Sequence, residues 1–365
     1  MSTTLSTGGR LGVYHDTGSP EGSSDFTTLV ILHGHNWHGG TFSRLIPLAH
    51  RNNIRLVLLN RRDYPGSTPY TDEERAMVAK LTPNADEEAL AQAREKFSIF
   101  LKDRAREVYD FLEDLVKRDN IPPSQRDLNT GGIVVAGWSL GALWTTSLLA
   151  YAPQFPVNDV DLSQYVRRVI VLDTGNIVMG YPRRSDMYTR AFDPRLSLEE
   201  RAASYDMWDR ALAISGYYPH GDTLDTIALK PLEHPFPTLS TLSAEERAKM
   251  TFKTDGNLDS RITLTGIQTG HFANVRERAL LVPGDEDVVG DSWCNVEARF
   301  VWGGKSLPEV SHAMLTLRTE VEAAKEKGLL LRNVKLVIVK EGNHFVHWDH
   351  PEEAMRALLG EHEII

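Results

Sequence analysis

Short strand-like runs rich in apolar residues recur along the chain, and glycine or polar residues end each of them. Unbroken apolar runs of this length are typical of parallel strands that are buried on both faces of a sheet. The runs lie at residues 28–32, 54–59, 133–136, 169–172, 297–302 and 334–340. Residues 86–118 instead repeat their apolar positions with the period of a helix, which predicts one long helix with a single buried face.

The strand pattern fails between the run at 169–172 and the run at 297–302. Residues 174–294 carry short helical pieces at 197–214 and 244–250 and loops rich in proline, glycine and histidine, which predicts an insertion that forms a lid. Its aromatic residues would line an apolar pocket if they face inward, although packing within the lid is the commoner role for any one of them. They include Tyr181, Tyr188, Phe192, Tyr205, Trp208, Tyr217 and Tyr218. At the other end, residues 4–15 predict a hairpin of two short strands.

The pentapeptide Gly-Trp-Ser-Leu-Gly at residues 137–141 directly follows the run at 133–136 and precedes a helical segment at 142–150. It fits the G-x-S-x-G nucleophile elbow, a tight strand-to-helix turn that projects the serine hydroxyl into a cleft. Glycines fit the flanking positions because side chains there would collide with neighbouring backbone. Ser139 is therefore the candidate nucleophile.

The last strand-like run is followed by the candidate general base. His344 lies on the loop that leaves this run, whereas His347 and His350 lie further along the chain. Residues 349–352, Asp-His-Pro-Glu, predict a helix start with Asp349 as its cap. His344 is consequently the histidine best placed to activate Ser139.

Backbone amides supply the candidate oxyanion hole. The run at 28–32 ends in His33-Gly34-His35, a turn whose His35 N–H we expect to point at the serine. The N–H of Leu140, the residue after the nucleophile, would be the second donor. Fixed dipoles aimed at a developing oxyanion are usually the largest single catalytic contribution.

In this order, the His-Gly turn, residues 60–67 (Asn-Arg-Arg-Asp-Tyr-Pro-Gly-Ser), the elbow and residues 343–352 resemble the α/β-hydrolase superfamily. The likeness is to the branch that contains epoxide hydrolases, dehalogenases and capped esterases. Epoxide hydrolases and dehalogenases of this branch use aspartate as nucleophile. Serine at position 139 therefore favours acyl chemistry over epoxide opening.

The resemblance implies an α/β-hydrolase fold. Its sheet has eight strands, mostly parallel, and a helical cap is inserted after the sixth strand. The chain would divide into a first core part at residues 1–173, a cap at 174–294 and a second core part at 295–365.

The acid of the triad departs from the commonest family pattern. Most members carry it after the seventh strand in a Gly-x-x-Asp context, where this chain has Gly303-Gly304-Lys305 and then Ser306. Two alternatives remain open. Asp173 ends the run at 169–172, a place where some relatives carry their acid, and Glu309 lies a few residues past the seventh strand. We favour Asp173.

A metal-dependent alternative rests on residues 33–38, which satisfy H-x-H-x-x-H. Imidazoles at this spacing can hold zinc. Trp37, however, stands where the related metallo-hydrolase motif has aspartate, and the turn is better explained as an oxyanion loop. We expect no metal and no cofactor.

Composition excludes several classes of partner. The net charge of -10 and pI of about 5.7 argue against nucleic acid and anionic membranes. One cysteine, Cys294, fits a reducing compartment. The first residues resemble no secretory signal, and no apolar stretch is long enough to span a bilayer. We therefore expect a cytoplasmic protein whose partner is a small apolar substrate.

Together these features predict a serine hydrolase of the carboxylesterase or lactonase type, which cleaves a small, fairly apolar ester or lactone through an acyl-enzyme. Two alternatives use the same triad: a C–C bond hydrolase and a hydroxynitrile-lyase-like enzyme. A third is a non-catalytic small-ligand receptor on the same fold. The intact nucleophile, base and oxyanion turn weigh against the receptor.

Overall fold

A computed structural model describes residues 11–78, 85–187, 196, 200, 212–252, 258–282 and 293–360. The strands are β1 Gly12–Asp16, β2 Thr27–Leu32, β3 Ile54–Asn60, β4 Ile133–Trp138, β5 Val166–Leu172, β6 Glu297–Gly303 and β7 Val334–Val339. The helices are α1 Asp72–Met77, α2 Glu87–Asp119, α3 Ala142–Tyr151, α4 Thr238–Thr241, α5 Ala244–Met250, α6 Asp259–Thr269, α7 His271–Leu280, α8 Pro308–Glu326, α9 Val346–Asp349 and α10 Pro351–Leu359.

The described strands form one sheet in the order β1-β3-β2-β4-β5-β6-β7. β1 pairs with β3 in the antiparallel sense, and every other neighbouring pair is parallel. The predicted fold class is confirmed. The expected number of eight strands is wrong for the described residues, which contain seven. The difference arises because only the second arm of the predicted N-terminal hairpin, β1, lies among the described residues.

Helices cover both faces of the sheet, as buried parallel strands require. Every residue of β2, β4 and β5 is buried. The long predicted helix is α2, with Asp86 capping its first turn through the Ala89 N–H. The apolar side chains of its buried face belong to the same hydrophobic core as Trp144 of α3.

The chain between β5 and β6 departs from the strand–helix alternation, as the sequence predicts. Among its described residues it contains α4 to α7 and the loops around them. α5 matches the helix predicted at 244–250, whereas most of the piece predicted at 197–214 lies outside the described residues. We refer to residues 174–294 as the insertion. Within the described residues, no helix is both long enough and apolar enough to cross a membrane.

The carboxyl ends of the parallel strands meet at one edge of the sheet. Ligands of open α/β sheets bind outside this edge because the loops from several strands converge there. Here the turns and loops that follow β2, β4, β5 and β7 carry the candidate site residues, except for Glu309, which lies in the first turn of α8 after β6.

Candidate active site

Ser139 occupies the turn between β4 and the helical segment that leads into α3. Its φ is +54°, a left-handed conformation that is uncommon for residues other than glycine and is found at functional turns. The turn is tight: a Cβ added to Gly137 would lie 2.3 Å from the carbonyl oxygen of Gly141. The flanking glycines therefore permit the strained serine, as the motif predicts.

The turn after β2 lies directly against this serine. A Cβ added to Gly34 would come within 2.9 Å of the Ser139 Cβ and 3.3 Å of its Oγ. Only glycine allows the two backbones to approach this closely. The predicted oxyanion turn and the candidate nucleophile are thus neighbours in space.

Asp173 and His344 are joined by a short hydrogen bond. The His344 Nδ1–H donates to Asp173 Oδ2 over 2.6 Å, and both side chains are buried. Asp173 follows β5 with a φ of +46°, so it also has a left-handed backbone. A carboxylate on Nδ1 leaves the other ring nitrogen, Nε2, as the basic one.

Two further donors hold the Asp173 carboxylate. The Gly303 N–H donates to Oδ1 over 2.7 Å, and the Ser306 hydroxyl donates to Oδ2 over 2.6 Å. Ser306 is the residue that stands where the family resemblance places the acid. It hydrogen-bonds to Asp173, the candidate acid at the end of the neighbouring strand β5.

His344 is also fixed beside the elbow. The Trp138 indole N–H donates to the His344 carbonyl over 2.9 Å, and the two ring centroids are 4.9 Å apart. Within the described residues, no hydrogen bond joins the Ser139 hydroxyl to His344. Catalytic hydrogen bonds are often long before substrate binds and tighten in the substrate complex.

Glu309 lies in the first turn of α8. Its backbone carbonyl accepts a hydrogen bond from the Asn176 N–H over 3.0 Å. A Cβ added to Gly175 would touch the Glu309 Cβ at 3.4 Å. Glu309 therefore borders the loop after β5, but in the described residues it is Asp173, not Glu309, that pairs with His344.

Leu140 directly follows Ser139 along the chain, and His35 directly follows Gly34, which lies against Ser139. The His35 ring lies toward α6, with its Nε2 3.3 Å from the Ser260 Oγ. Leu140 is buried in the short turn at residues 139–141. Their backbone amides remain the predicted oxyanion donors.

The other histidines of the His33–His38 segment are occupied by the protein backbone. The His33 Nε2 accepts from the Arg61 N–H over 3.0 Å, so its Nδ1 carries the proton and donates to the Gly34 carbonyl over 2.8 Å. Burial and the Arg61 charge hold the His33 pKa well below its usual value. The His38 Nδ1 accepts from the Gly40 N–H. Among the described side chains, no group of three or more His, Cys, Asp or Glu residues is placed to hold a metal ion.

The predicted helix cap at Asp349 is wrong. Asp349 ends α9, and His350 occupies the position before α10. The Asp349 carboxylate instead accepts hydrogen bonds from the hydroxyls of Tyr217 (2.6 Å) and Thr238 (2.5 Å), both in the insertion. These two hydrogen bonds engage the Asp349 carboxylate, which would otherwise accept from backbone N–H groups as a helix cap. Pro351 does begin the helix, as expected.

The insertion meets the sheet edge through polar contacts that the sequence did not predict. The Asn343 amide donates to the Ser215 carbonyl and to the Thr238 hydroxyl, each over 2.7 Å. The His220 Nε2–H donates to the Ser306 carbonyl over 2.7 Å, and burial lowers the His220 pKa. The insertion is thereby tied to the loops that carry His344 and Ser306.

Of the seven aromatic residues named as candidates to line a pocket under the lid, three are described, and all three are buried. Tyr181 donates to Glu320 and lies under the Arg276 guanidinium, Tyr217 donates to Asp349, and Tyr218 donates to the Ala213 carbonyl. The hydroxyls of these three tyrosines therefore form hydrogen bonds within the protein, and the side chains have a packing role. Tyr188, Phe192, Tyr205 and Trp208 lie outside the described residues.

Further site residues had no local signal in the sequence. The Thr174 hydroxyl donates to the Ser139 carbonyl over 2.9 Å. Arg61 and Asp259 form a fully buried ion pair behind the oxyanion turn. For Ser306 alone a signal existed, since it occupies the position of the expected acid.

A family model described as "Alpha/beta hydrolase family" matches residues 29–358. No curated protein matches the chain. Among solved structures, a carboxylesterase structure from Nitrososphaera gargenis is 16% identical, with a TM-score of 0.43, and the match covers 98% of this chain and 96% of that chain. An epoxide hydrolase variant from Solanum tuberosum is 14% identical, with a TM-score of 0.47 and coverage of 94% and 93%. A bromoperoxidase from Bacillus anthracis is 14% identical, with a TM-score of 0.45 and coverage of 95% and 93%. At such low identities and TM-scores, these likenesses do not bear on substrate or mechanism.

Proposed function

Since its match to the family model spans residues 29–358, the chain belongs to the alpha/beta hydrolase family, and from this we propose that it is a serine hydrolase. Its substrate would be a small, fairly apolar ester or lactone. The observation that carries the proposal is the 2.6 Å hydrogen bond between His344 and Asp173 beside the left-handed Ser139.

In the first half-reaction, the Ser139 Oγ attacks the acyl carbon while His344 Nε2 takes the hydroxyl proton. The carbonyl oxygen becomes an oxyanion that the N–H groups of His35 and Leu140 stabilise. The tetrahedral intermediate then expels the alcohol, which takes the proton from His344, and leaves an acyl-serine.

In the second half-reaction, His344 Nε2 removes a proton from water as the water oxygen attacks the acyl-serine. Collapse of this second intermediate returns the proton to Ser139 and releases the carboxylic acid. Asp173 accepts from Nδ1 throughout, which holds the tautomer and stabilises the imidazolium. The three donors on its carboxylate hold Asp173 in place.

The insertion would act as the cap over this site. Phe252 and Met250 bond to the backbone of the turn after β2 (Phe252 N–H to Asn36 O, and His38 N–H to Met250 O). On the other side, Asn343 in the loop after β7 and Asp349 at the end of α9 form hydrogen bonds with the insertion. A cap anchored on two sides of the serine would exclude bulk water from the oxyanion and favour an apolar acyl group.

Reaction with a fluorophosphonate probe, followed by mapping of the labelled peptide, tests the proposal. We expect the label on Ser139, none in Ser139→Ala and slow labelling in His344→Ala. Ser147→Ala is the matched control, because Ser147 is a buried serine of α3 whose hydroxyl has no hydrogen-bond partner among the described residues. A folded wild-type protein that resists the probe would overturn the proposal in favour of the receptor alternative.

A further inference from the structure

Arg61, the first residue after β3, is completely buried although it is charged. Its guanidinium donates to both oxygens of Asp259, Nη1 to Oδ1 and Nη2 to Oδ2, each over 2.7 Å. The Tyr64 hydroxyl adds a third hydrogen bond to Asp259 Oδ2, also 2.7 Å long. Asp259 is the first residue of α6, so the partner of Arg61 comes from the insertion.

The same guanidinium also holds the turn beside the nucleophile. The Arg61 Nε–H donates to the His33 carbonyl over 3.0 Å, and Nη2–H donates to the Gly34 carbonyl over 2.9 Å. The Gly34 carbonyl accepts a second hydrogen bond from His33 Nδ1. Arg61 further stacks on Trp144 of α3, 4.4 Å from the ring centroid. One side chain therefore contacts the oxyanion turn, the helix after the elbow and the insertion.

The direction of the Gly34 carbonyl fixes the direction of the next amide. The Gly34–His35 peptide bond is trans, and in a trans peptide the C=O and the following N–H point in opposite directions. Because the carbonyl is aimed at Arg61, the His35 N–H is aimed away from Arg61. Gly34 also lies against Ser139, since a Cβ added to it would be 3.3 Å from the Ser139 Oγ.

A buried ion pair is a poor way to gain stability, since desolvation of the two charges offsets most of their attraction. What the pair does supply is geometry, because a guanidinium presents its donors in a rigid planar fork. In this site the fork satisfies one carboxylate and two successive backbone carbonyls at once.

We propose that Arg61, held by Asp259, is a positioning residue that fixes the Gly34–His35 peptide so that the His35 N–H faces the oxyanion formed at Ser139. The inference rests on the proposed serine hydrolase function and deepens it. It also makes the oxyanion hole depend on the insertion, because α6 supplies Asp259 and places Ser260 beside the His35 ring.

The test compares Arg61→Lys with wild type in hydrolysis of p-nitrophenyl acetate and in inhibition by an aryl trifluoromethyl ketone. The ketone carbon accepts the Ser139 oxygen, the proton passes to His344, and the resulting hemiketal oxyanion occupies the oxyanion hole. Lysine keeps the positive charge opposite Asp259 but cannot donate to both carbonyls in a fork. A residue with only an ion-pair role would tolerate it.

We expect Arg61→Lys to keep a cooperative thermal transition and a KM within about threefold of wild type. The kcat should fall roughly tenfold to a hundredfold, since loss of one oxyanion donor costs roughly 100- to 1,000-fold and a misaligned donor is lost in part. The inhibition constant of the ketone should rise by a similar factor. Wild-type kcat in Arg61→Lys, or a lower kcat with unchanged ketone inhibition, would overturn the inference.

Arg276→Lys is the matched control, because Arg276 is likewise buried and bonds to a carboxylate, Glu320, and to a carbonyl, that of Met179. It should leave kcat and ketone inhibition unchanged. If Arg61→Lys does not fold, Asp259→Asn is judged by the same criteria. A wild-type protein inert to both ester and ketone rejects the proposed function itself, whereas an active wild type with an equally active Arg61→Lys rejects only the role of Arg61.

Discussion

The Ser306 hydroxyl donates to the Oδ2 of Asp173 across 2.6 Å, and the same oxygen accepts from His344 Nδ1 at 2.6 Å. Ser306 follows β6, where most members of the family carry the acid, and Asp173 follows the adjacent β5. The Asp173 carboxylate thus reaches His344 from the end of the strand next to β6. Ser306, at the position where the family pattern has the acid, donates a hydrogen bond to this carboxylate.

Transfer of the carboxylate back to position 306 should restore function. The kcat/KM of Asp173→Ala should be far below that of wild type. The double variant Asp173→Ala/Ser306→Asp should have a kcat/KM at least about tenfold higher than Asp173→Ala, because Ser306 and His344 contact the same oxygen of Asp173. Esterase assays on both proteins, with their thermal unfolding compared, check this. A folded double variant no more active than Asp173→Ala would contradict it.

The two acid candidates should differ sharply. Asp173→Asn should lower kcat/KM by roughly a thousandfold or more, since an amide stabilises neither the imidazolium nor the productive tautomer. Glu309→Gln should stay within about threefold of wild type, because its carboxylate does not pair with His344. Steady-state kinetics of the two variants decide the matter, and the reverse ranking would place the acid after β6.

Ser139→Ala should lose several orders of magnitude in turnover of short p-nitrophenyl esters, because its hydroxyl is the proposed nucleophile. The variant should still fold, since alanine preserves the backbone path of the turn. Ser147→Ala on the following helix should keep full activity. Turnover by Ser139→Ala within about tenfold of wild type would be incompatible with an acyl-serine.

Chelators should not inhibit the enzyme. Both ring nitrogens of His33 are engaged by the backbone, and His38 Nδ1 accepts from Gly40, so the His33–His38 segment would have to rearrange to bind zinc. Esterase activity measured after prolonged incubation with EDTA and gel filtration checks this expectation. Inactivation that added zinc reverses would instead support the metal-dependent alternative.

Stability should fall in acid through Asp259. Burial opposes ionisation of this carboxyl, but the Arg61 charge and hydrogen bonds prevail and lower its pKa to about 2 from an ordinary 3.8. The unfolded chain therefore takes up this proton first as the pH falls. The contribution is nearly complete above about pH 5 and is lost progressively as the pH falls toward 2.

Urea unfolding at a series of pH values measures this contribution. Asp259→Asn should be less stable than wild type near neutrality, because it leaves the Arg61 charge buried without a counter-charge. Its free energy of unfolding should also change less between pH 4 and pH 2. Parallel curves for the two proteins over this interval would show that Asp259 is not responsible.

The features that the sequence predicted correctly are local ones. The buried strands are continuous apolar runs, and the pentapeptide of the elbow begins with Gly137, which is required by its close contact with Gly141 in the same pentapeptide. The choice between Asp173 and Glu309 was open because each follows a strand-like run, Asp173 the run at 169–172 and Glu309 the run at 297–302. Only the order of β5, β6 and β7 in the sheet and the packing of the loops that follow them decide which carboxylate reaches His344.

The features that the sequence missed or misread depend on partners distant along the chain. Arg61 and Asp259 are 198 residues apart, and no periodicity or motif relates them. The residues at 349–352 have the composition of a helix start, yet Tyr217 and Thr238 recruit Asp349 into a tertiary contact. The tendency of residues 349–352 to begin a helix with Asp349 as its cap is overridden by hydrogen bonds that form only when the insertion packs against this segment.

The 171 residues that separate Asp173 from His344 have a consequence for biosynthesis. During translation the proposed nucleophile and acid leave the ribosome well before the proposed base. If the proposed triad is correct, a nascent chain therefore cannot turn over substrate until His344 has been synthesised. Enzyme activity would then report the arrival of the segment that follows β7, and a truncation before His344 would yield an inactive product however well its earlier segments had folded.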